Sequence, residues 1–279
     1  MKKRKIKKIA ITLLSLACFV NFSQAVNAET ILEKIQRTGE INAGARKDAM
    51  PFGYVDPQQG WTGYSVDLLE LIRRRLQNKL QKPIKLNLQE VTIGDRFTKI
   101  KEGKLDIVCG VTTITQERLE VVDFSVPYFM TGAQFLVKLE DAQEFNYNGT
   151  LAKIPIAYIP GTTAQEILPQ IYPFANWKPV KSREEGIEKL KKGEIKAVVS
   201  DGILLIGELV RQGSDPRQFA LIPEQPITTE LYGCILPQNE PDWKGFVDET
   251  IVSKEDSKLQ EKWFNVKKSK FPYTIHSFP

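Results

Sequence analysis

The sequence predicts an α/β fold in which one doubly wound unit is followed by a second. Apolar, β-branched runs of five or six residues alternate with helix-period segments, the pattern of parallel strands covered on both faces. The alternation runs once before residue 110 and again after residue 150. Polar segments rich in Gly and Thr follow two of the strands, GVTTIT at 110–115 and PGTT at 160–163. Open α/β sheets bind ligands at the carboxyl ends of their strands, so these segments are where a site is expected.

Taken in order, residues 1–28 stand outside that fold. Six basic residues (Lys2, Lys3, Arg4, Lys5, Lys7 and Lys8) precede an apolar run at 9–20, and Val26-Asn27-Ala28 supplies small residues. This is the pattern of a secretory signal peptide cleaved after Ala28. It is too short and too one-sided in charge for a permanent span. Cys18 follows Ser15-Leu16-Ala17, where the leucine is misplaced for a lipid-anchoring motif. Removing those six cations turns the net charge of +5 into −1, so the pI near 8.9 carries no argument for nucleic acid. The remaining chain suits two modest domains or one large one, exported to a bacterial periplasm.

A helix at 31–37, ended by Gly39, leads into a first strand at 41–45. Residues 64–81 carry apolar positions at helical spacing, with Pro83 beyond the end. A second strand at 84–88, a short helix at 94–102 closed by Gly103 and a third strand at 105–109 complete a βαβαβ unit. The second unit follows Phe135. Its strands are expected at 154–159, 177–180 and 195–200, with helices at 164–168, 183–192 and 202–211. LYGCIL at 231–236 reads as one more strand, and helices at 243–251 and 257–264 finish the chain.

The segment 104–130, KLDIVCGVTTITQERLEVVDFSVPYFM, holds the strongest candidate site. Gly110 lets the chain turn after the strand, and Thr115 is a fair N-cap for a helix starting at Gln116. Arg118 would then sit beside threonine hydroxyls and free N–H groups, a receptor suited to a carboxylate. The plainer alternative is a surface arginine paired with Glu117 or Glu120.

The pattern GVTTIT-x-x-R-x-x-x-V-DFSVPY resembles the signature of bacterial polar amino acid solute-binding proteins (family 3), shared with the ligand-binding domain of ionotropic glutamate receptors. The resemblance covers nearly all of the exported chain. It implies a type II periplasmic binding protein fold, two doubly wound lobes joined by two hinge strands. Lobe 1 would take residues 29–131 plus 232–279, and lobe 2 residues 132–231. Arg118 matches the arginine that grips the ligand α-carboxylate, helped by Thr113 and the neighbouring Val111. Phe52 matches an aromatic that covers the ligand; otherwise it is a packing residue of a Pro- and Gly-rich turn. Thr162 and Thr163 match the second lobe's ligand contacts; a helix cap is the ordinary alternative. Asp201 matches the acid that holds the ligand ammonium, with helix capping again the alternative.

The resemblance therefore implies an amino acid-binding protein rather than an enzyme, feeding the membrane permease subunits of an ABC importer. The ligand would be a polar or acidic amino acid, and the protein a monomer using no cofactor, metal or nucleic acid. Two rivals share the scaffold: a cyclohexadienyl or arogenate dehydratase using Glu166 or Glu230 as acid, and a ligand-sensing domain. The single histidine, His276, argues against a zinc site or a histidine-based triad. Family strand order would bring Cys109 and Cys234 together, and both a disulfide and two buried thiols stay open.

Overall fold

A computed structural model describes residues 29–265. The signal peptide with its cleavage position, Cys18 and His276 lie outside the described residues. Two five-stranded sheets organise the molecule, and they are wired alike. The first runs in the order Lys85–Glu90, Glu40–Ala45, Ile107–Val108, Ile235–Leu236, Asp123–Phe124. The second runs Asn176–Pro179, Pro155–Tyr158, Ala197–Asp201, Ala133–Lys138, Phe219–Ile222. In each, the first three strands are parallel and the last two join antiparallel. Two lobes of one α/β design result.

Local chemistry explains the elements that position the site. Thr30 and Glu33 close a capping box on the helix Ile31–Thr38, and Gly39 ends it at φ 72°. The helix Tyr64–Leu80 buries Leu68, Leu69, Ile72 and Leu76 in the main core of the first lobe. That core closes over an aromatic cluster of Phe52, Tyr64, Phe129, Tyr232 and Phe264. In the second lobe, Arg183–Lys192 and Gly202–Arg211 form helices where the apolar spacing predicts them.

The sequence reading needs three corrections. Each sheet carries antiparallel strands beyond the expected parallel ones, with Asp123–Phe124, Ala133–Lys138 and Phe219–Ile222 not among the expected elements. Residues 48–62 form a three-stranded ribbon rather than a loop. The expected strand 231–236 is two. Glu230–Tyr232 pairs with Phe129–Thr131 between the sheets, whereas Ile235–Leu236 belongs to the first sheet. The break comes where Gly233 donates to the Thr112 carbonyl and Cys234 turns its N–H and C=O to Ser125.

That turn also settles the cysteines. Cys109 and Cys234 are disulfide-bonded, with Cα atoms 4.3 Å apart. Because Cys234 spends its backbone groups on Ser125, it faces Cys109 as a non-hydrogen-bonded antiparallel pair, the closer of the two kinds. The expected proximity is realised, and of the two open states the bond is the one formed. Beside the paired strands Phe129–Thr131 and Glu230–Tyr232, a Cβ on Gly132 would lie 1.8 Å from the Thr228 carbonyl oxygen, so only glycine lets these two segments pass so closely.

Candidate ligand-binding cleft

Residues that follow all six parallel strands meet around one cavity between the lobes. Arg46, Arg96, Val111, Thr113 and Arg118 come from the first lobe, and Thr162, Thr163, Arg183 and Asp201 from the second, with Glu230 from the strand that pairs with Phe129–Thr131 between the sheets. About 450 Å³ of space lies between the protein atoms, part of it open to solvent.

Arg118 is buried, not a surface arginine. Thr115 caps its short helix by accepting from the Arg118 backbone N–H. One guanidinium nitrogen donates to the Thr113 carbonyl at 2.8 Å, and the other lies 3.5 Å from Glu166, a half-exposed residue of the second lobe. Asp201 ends the strand Ala197–Asp201 and does not cap the helix that follows. Tyr232 donates its hydroxyl to the Asp201 carboxyl. Burial and the nearby Glu230 push Asp201 up to about 8, against the pull of Tyr232, Arg183 and Arg118.

The Thr162 hydroxyl is not a cap either; it donates to the Ile159 carbonyl at 2.7 Å. Thr163 begins the helix Thr163–Ile171, whose first residues line the cavity. Thr113 and Thr163 both donate to Glu230, each at 2.6 Å. Glu230 is 1% exposed and also accepts from Thr228 at 3.0 Å. The two acids that a dehydratase reading would use are thus already engaged, Glu166 at the rim and Glu230 among hydroxyls.

Phe52 is the expected site residue that the structure does not bring to the cavity. It is fully buried, 4.9 Å from Phe129 and 5.3 Å from Phe264 between ring centroids. Filling an apolar cluster gains more for a phenyl ring than shielding a polar cleft, and the turn after Met50 and Pro51 aims it inward. The ring near the cleft is Phe97, which lies 4.5 Å from the Arg96 guanidinium and 5.8 Å from that of Arg118.

Three arginines were missed in the sequence, and they change the electrostatics. Arg46 is 6%, Arg96 5% and Arg183 4% exposed. Arg46 makes a two-pronged pair with Asp48 at 2.7 and 2.6 Å. Burial would raise the Asp48 carboxyl, but the charge and hydrogen bonds of Arg46, with Arg183, hold it down to about 2. Arg183 crosses from the second lobe to donate to the Asp48 carbonyl at 2.6 Å. Arg96 donates to the Ile93 carbonyl. Burial, with Arg118 and Arg46 close by, pushes its guanidinium down to about 9. The Nε atoms of Arg96 and Arg183 are buried without a hydrogen-bond partner. The signal for all three was their position: each follows a parallel strand at its carboxyl end.

Comparison with known proteins matches residues 41–266 to the bacterial extracellular solute-binding proteins, family 3. The chain belongs to that family. Among family 3 relatives, the glutamate/aspartate import solute-binding protein of Escherichia coli (strain K12) is 30% identical over 94% of this chain and 88% of its own. A glutamine-binding protein of Geobacillus stearothermophilus is 30% identical over 72% of this chain and 74% of its own. Among solved structures, an ancestral amino acid-binding protein described as a precursor of cyclohexadienyl dehydratase superposes with a TM-score of 0.72. It is 25% identical, over 84% of this chain and 99% of that one.

Proposed function

We propose that this family 3 protein captures an acidic amino acid, glutamate or aspartate, and delivers it unchanged to the permease subunits of an ABC importer. The observation that carries the reading is four buried arginines around one cavity. Asp48 pairs with Arg46 and approaches Arg183, and Glu166 approaches Arg118, but Arg96 makes no ion pair among the described residues. Buried cations without matching anions are costly, so such a site favours a ligand of net negative charge. A dicarboxylic amino acid meets that demand, whereas a cationic one would add to the repulsion.

Arg118 and the amino end of the helix Thr163–Ile171 take the α-carboxylate, and Asp201 takes the ammonium. Arg96, with Arg46 and Arg183, takes the side-chain carboxylate, which gives the unpaired Nε atoms acceptors. The E. coli relative, named for glutamate/aspartate import, supports the same ligand class. The hinge is the ribbon of Phe129–Thr131 and Glu230–Tyr232. It separates lobe 1, residues 29–131 plus 232–279, from lobe 2, residues 132–231. A ligand touching both walls binds the closed form better and so draws the lobes together. The protein works as a monomer in the periplasm after cleavage at Ala28.

A thermal-shift screen of the twenty amino acids tests the reading. A ligand present at a hundred times its Kd adds about 2.7 kcal/mol of stability. Glutamate and aspartate are expected to give the largest shifts; a largest shift with arginine, leucine or glutamine contradicts it.

A further inference from the structure

Glu230 touches none of the arginines assigned to the two carboxylates by any hydrogen bond or ion pair described, yet it is buried at the junction of both lobes and the hinge strands. Its Oε2 oxygen accepts from the hydroxyls of Thr113, in the first lobe, and Thr163, in the second, each at 2.6 Å. Its Oε1 accepts from Thr228 at 3.0 Å. A carboxylate only accepts, so all three hydroxyls donate to it.

A hydroxyl has one proton and two lone pairs. Once Thr113 and Thr163 have given their protons to Glu230, each can offer the cavity nothing but lone pairs. Their oxygens then recognise an N–H donor and disfavour a second carboxylate. Both threonines line the cavity together with Asp201. We infer that Glu230 is a positioning residue that fixes the Thr113 and Thr163 hydroxyls as acceptors, making the cleft selective for the ligand ammonium over its deaminated counterpart. Because the two threonines come from opposite lobes and meet on one oxygen, the acceptor pair is assembled only when the cleft is shut. The sequence-based expectation that the Thr113 hydroxyl helps hold the carboxylate is reversed: its side chain serves the ammonium.

The inference rests on the cleft being an amino acid site, and the experiment separates the two. Titration calorimetry on the wild type and Glu230→Gln would compare L-glutamate with glutarate, the same dicarboxylate without its ammonium. Wild type is expected to prefer glutamate by a hundredfold or more. Glu230→Gln, which can turn an amide N–H toward one hydroxyl, should weaken glutamate at least tenfold while glutarate is unchanged or tighter. Equal losses for both ligands would mean Glu230 is merely structural, and no loss for either would also overturn the inference. Thr163→Val keeps the side-chain shape and removes one acceptor. It should likewise weaken glutamate but not glutarate, and it provides the test should Glu230→Gln fail to fold. A wild type that does not bind glutamate contradicts the acidic-ligand reading. The same comparison then uses the amino acid with the largest thermal shift and its deaminated acid.

Discussion

At one end of the cleft the half-buried Asp201 and the buried Glu230 have donors in place, Tyr232 on one and three threonines on the other. At the other end Arg96 and Arg183 each bury a guanidinium nitrogen that no neighbour satisfies. The difference teaches which half of the site is finished and which is held in tension. The acidic end is a closed hydrogen-bond network, complete when the cleft is shut. The cationic end carries unspent donors and mutual repulsion among arginines, and it gains most from an incoming anion.

Substitutions at the two ends should therefore fail in different ways. Arg118→Ala should cause the largest loss. It strands the ligand α-carboxylate in a desolvated cleft, at a cost of about 2–5 kcal/mol for every amino acid tested. Calorimetry that found glutamate affinity within threefold of wild type would remove Arg118 from the site. Arg96→Met should cost about 1.5–3 kcal/mol, the range for a hydrogen bond to a charged group, but only for ligands with a side-chain carboxylate. Glutamate and aspartate should weaken while glutamine does not. Parallel losses for glutamate and glutamine would break the assignment of the cationic end.

The acidic end should show itself through pH. Asp201 stands at about 8 in the closed cleft, raised from an ordinary carboxyl value of 3.8. Closing an empty cleft therefore takes up a proton between those values. The closed empty form is favoured at low pH and loses that advantage as pH rises through about 8. A ligand ammonium requires the ionised carboxylate, so affinity should climb with pH across that window, by at most about tenfold per unit, and level off above it. Asp201→Asn should weaken binding and flatten the profile; a slope that survives the substitution assigns the proton elsewhere. The smallest effect on binding is expected from Cys109→Ser with Cys234→Ser. Their disulfide closes a loop with a sequence separation of 125, so unfolding should become easier by about 2–5 kcal/mol while the Kd for glutamate stays within twofold. A large change in Kd would show that the bond shapes the cleft.

Much of this was legible in the sequence because it is local. The capping box at Thr30, the helices of the second lobe and Thr115 ahead of Arg118 follow from neighbours within four residues. Asp201 and the threonine segments were found because strand carboxyl ends are where such sheets bind ligands. Applied to every parallel strand, the same rule reaches Arg46, Arg96 and Arg183, which no motif marks. Phe52 went wrong because an aromatic in a turn can face the cleft or the core, and only the packing around Phe129 and Phe264 decides. Glu230 was visible as an acid but not as the partner of Thr113 and Thr163, residues 117 and 67 positions away. The antiparallel strands stayed hidden for a related reason: their partners lie far along the chain, and their short runs carry no period.

The most direct test of the central claim is a calorimetric comparison of L-glutamate with L-glutamine on the wild-type protein. The two ligands have nearly the same shape and differ by one negative charge at the end facing Arg96. A buried Arg96 without a carboxylate partner among the described residues predicts that glutamate binds at least tenfold more tightly, as a hydrogen-bonded charge worth about 1.5–3 kcal/mol requires. Equal affinities, or a preference for glutamine, would contradict the account.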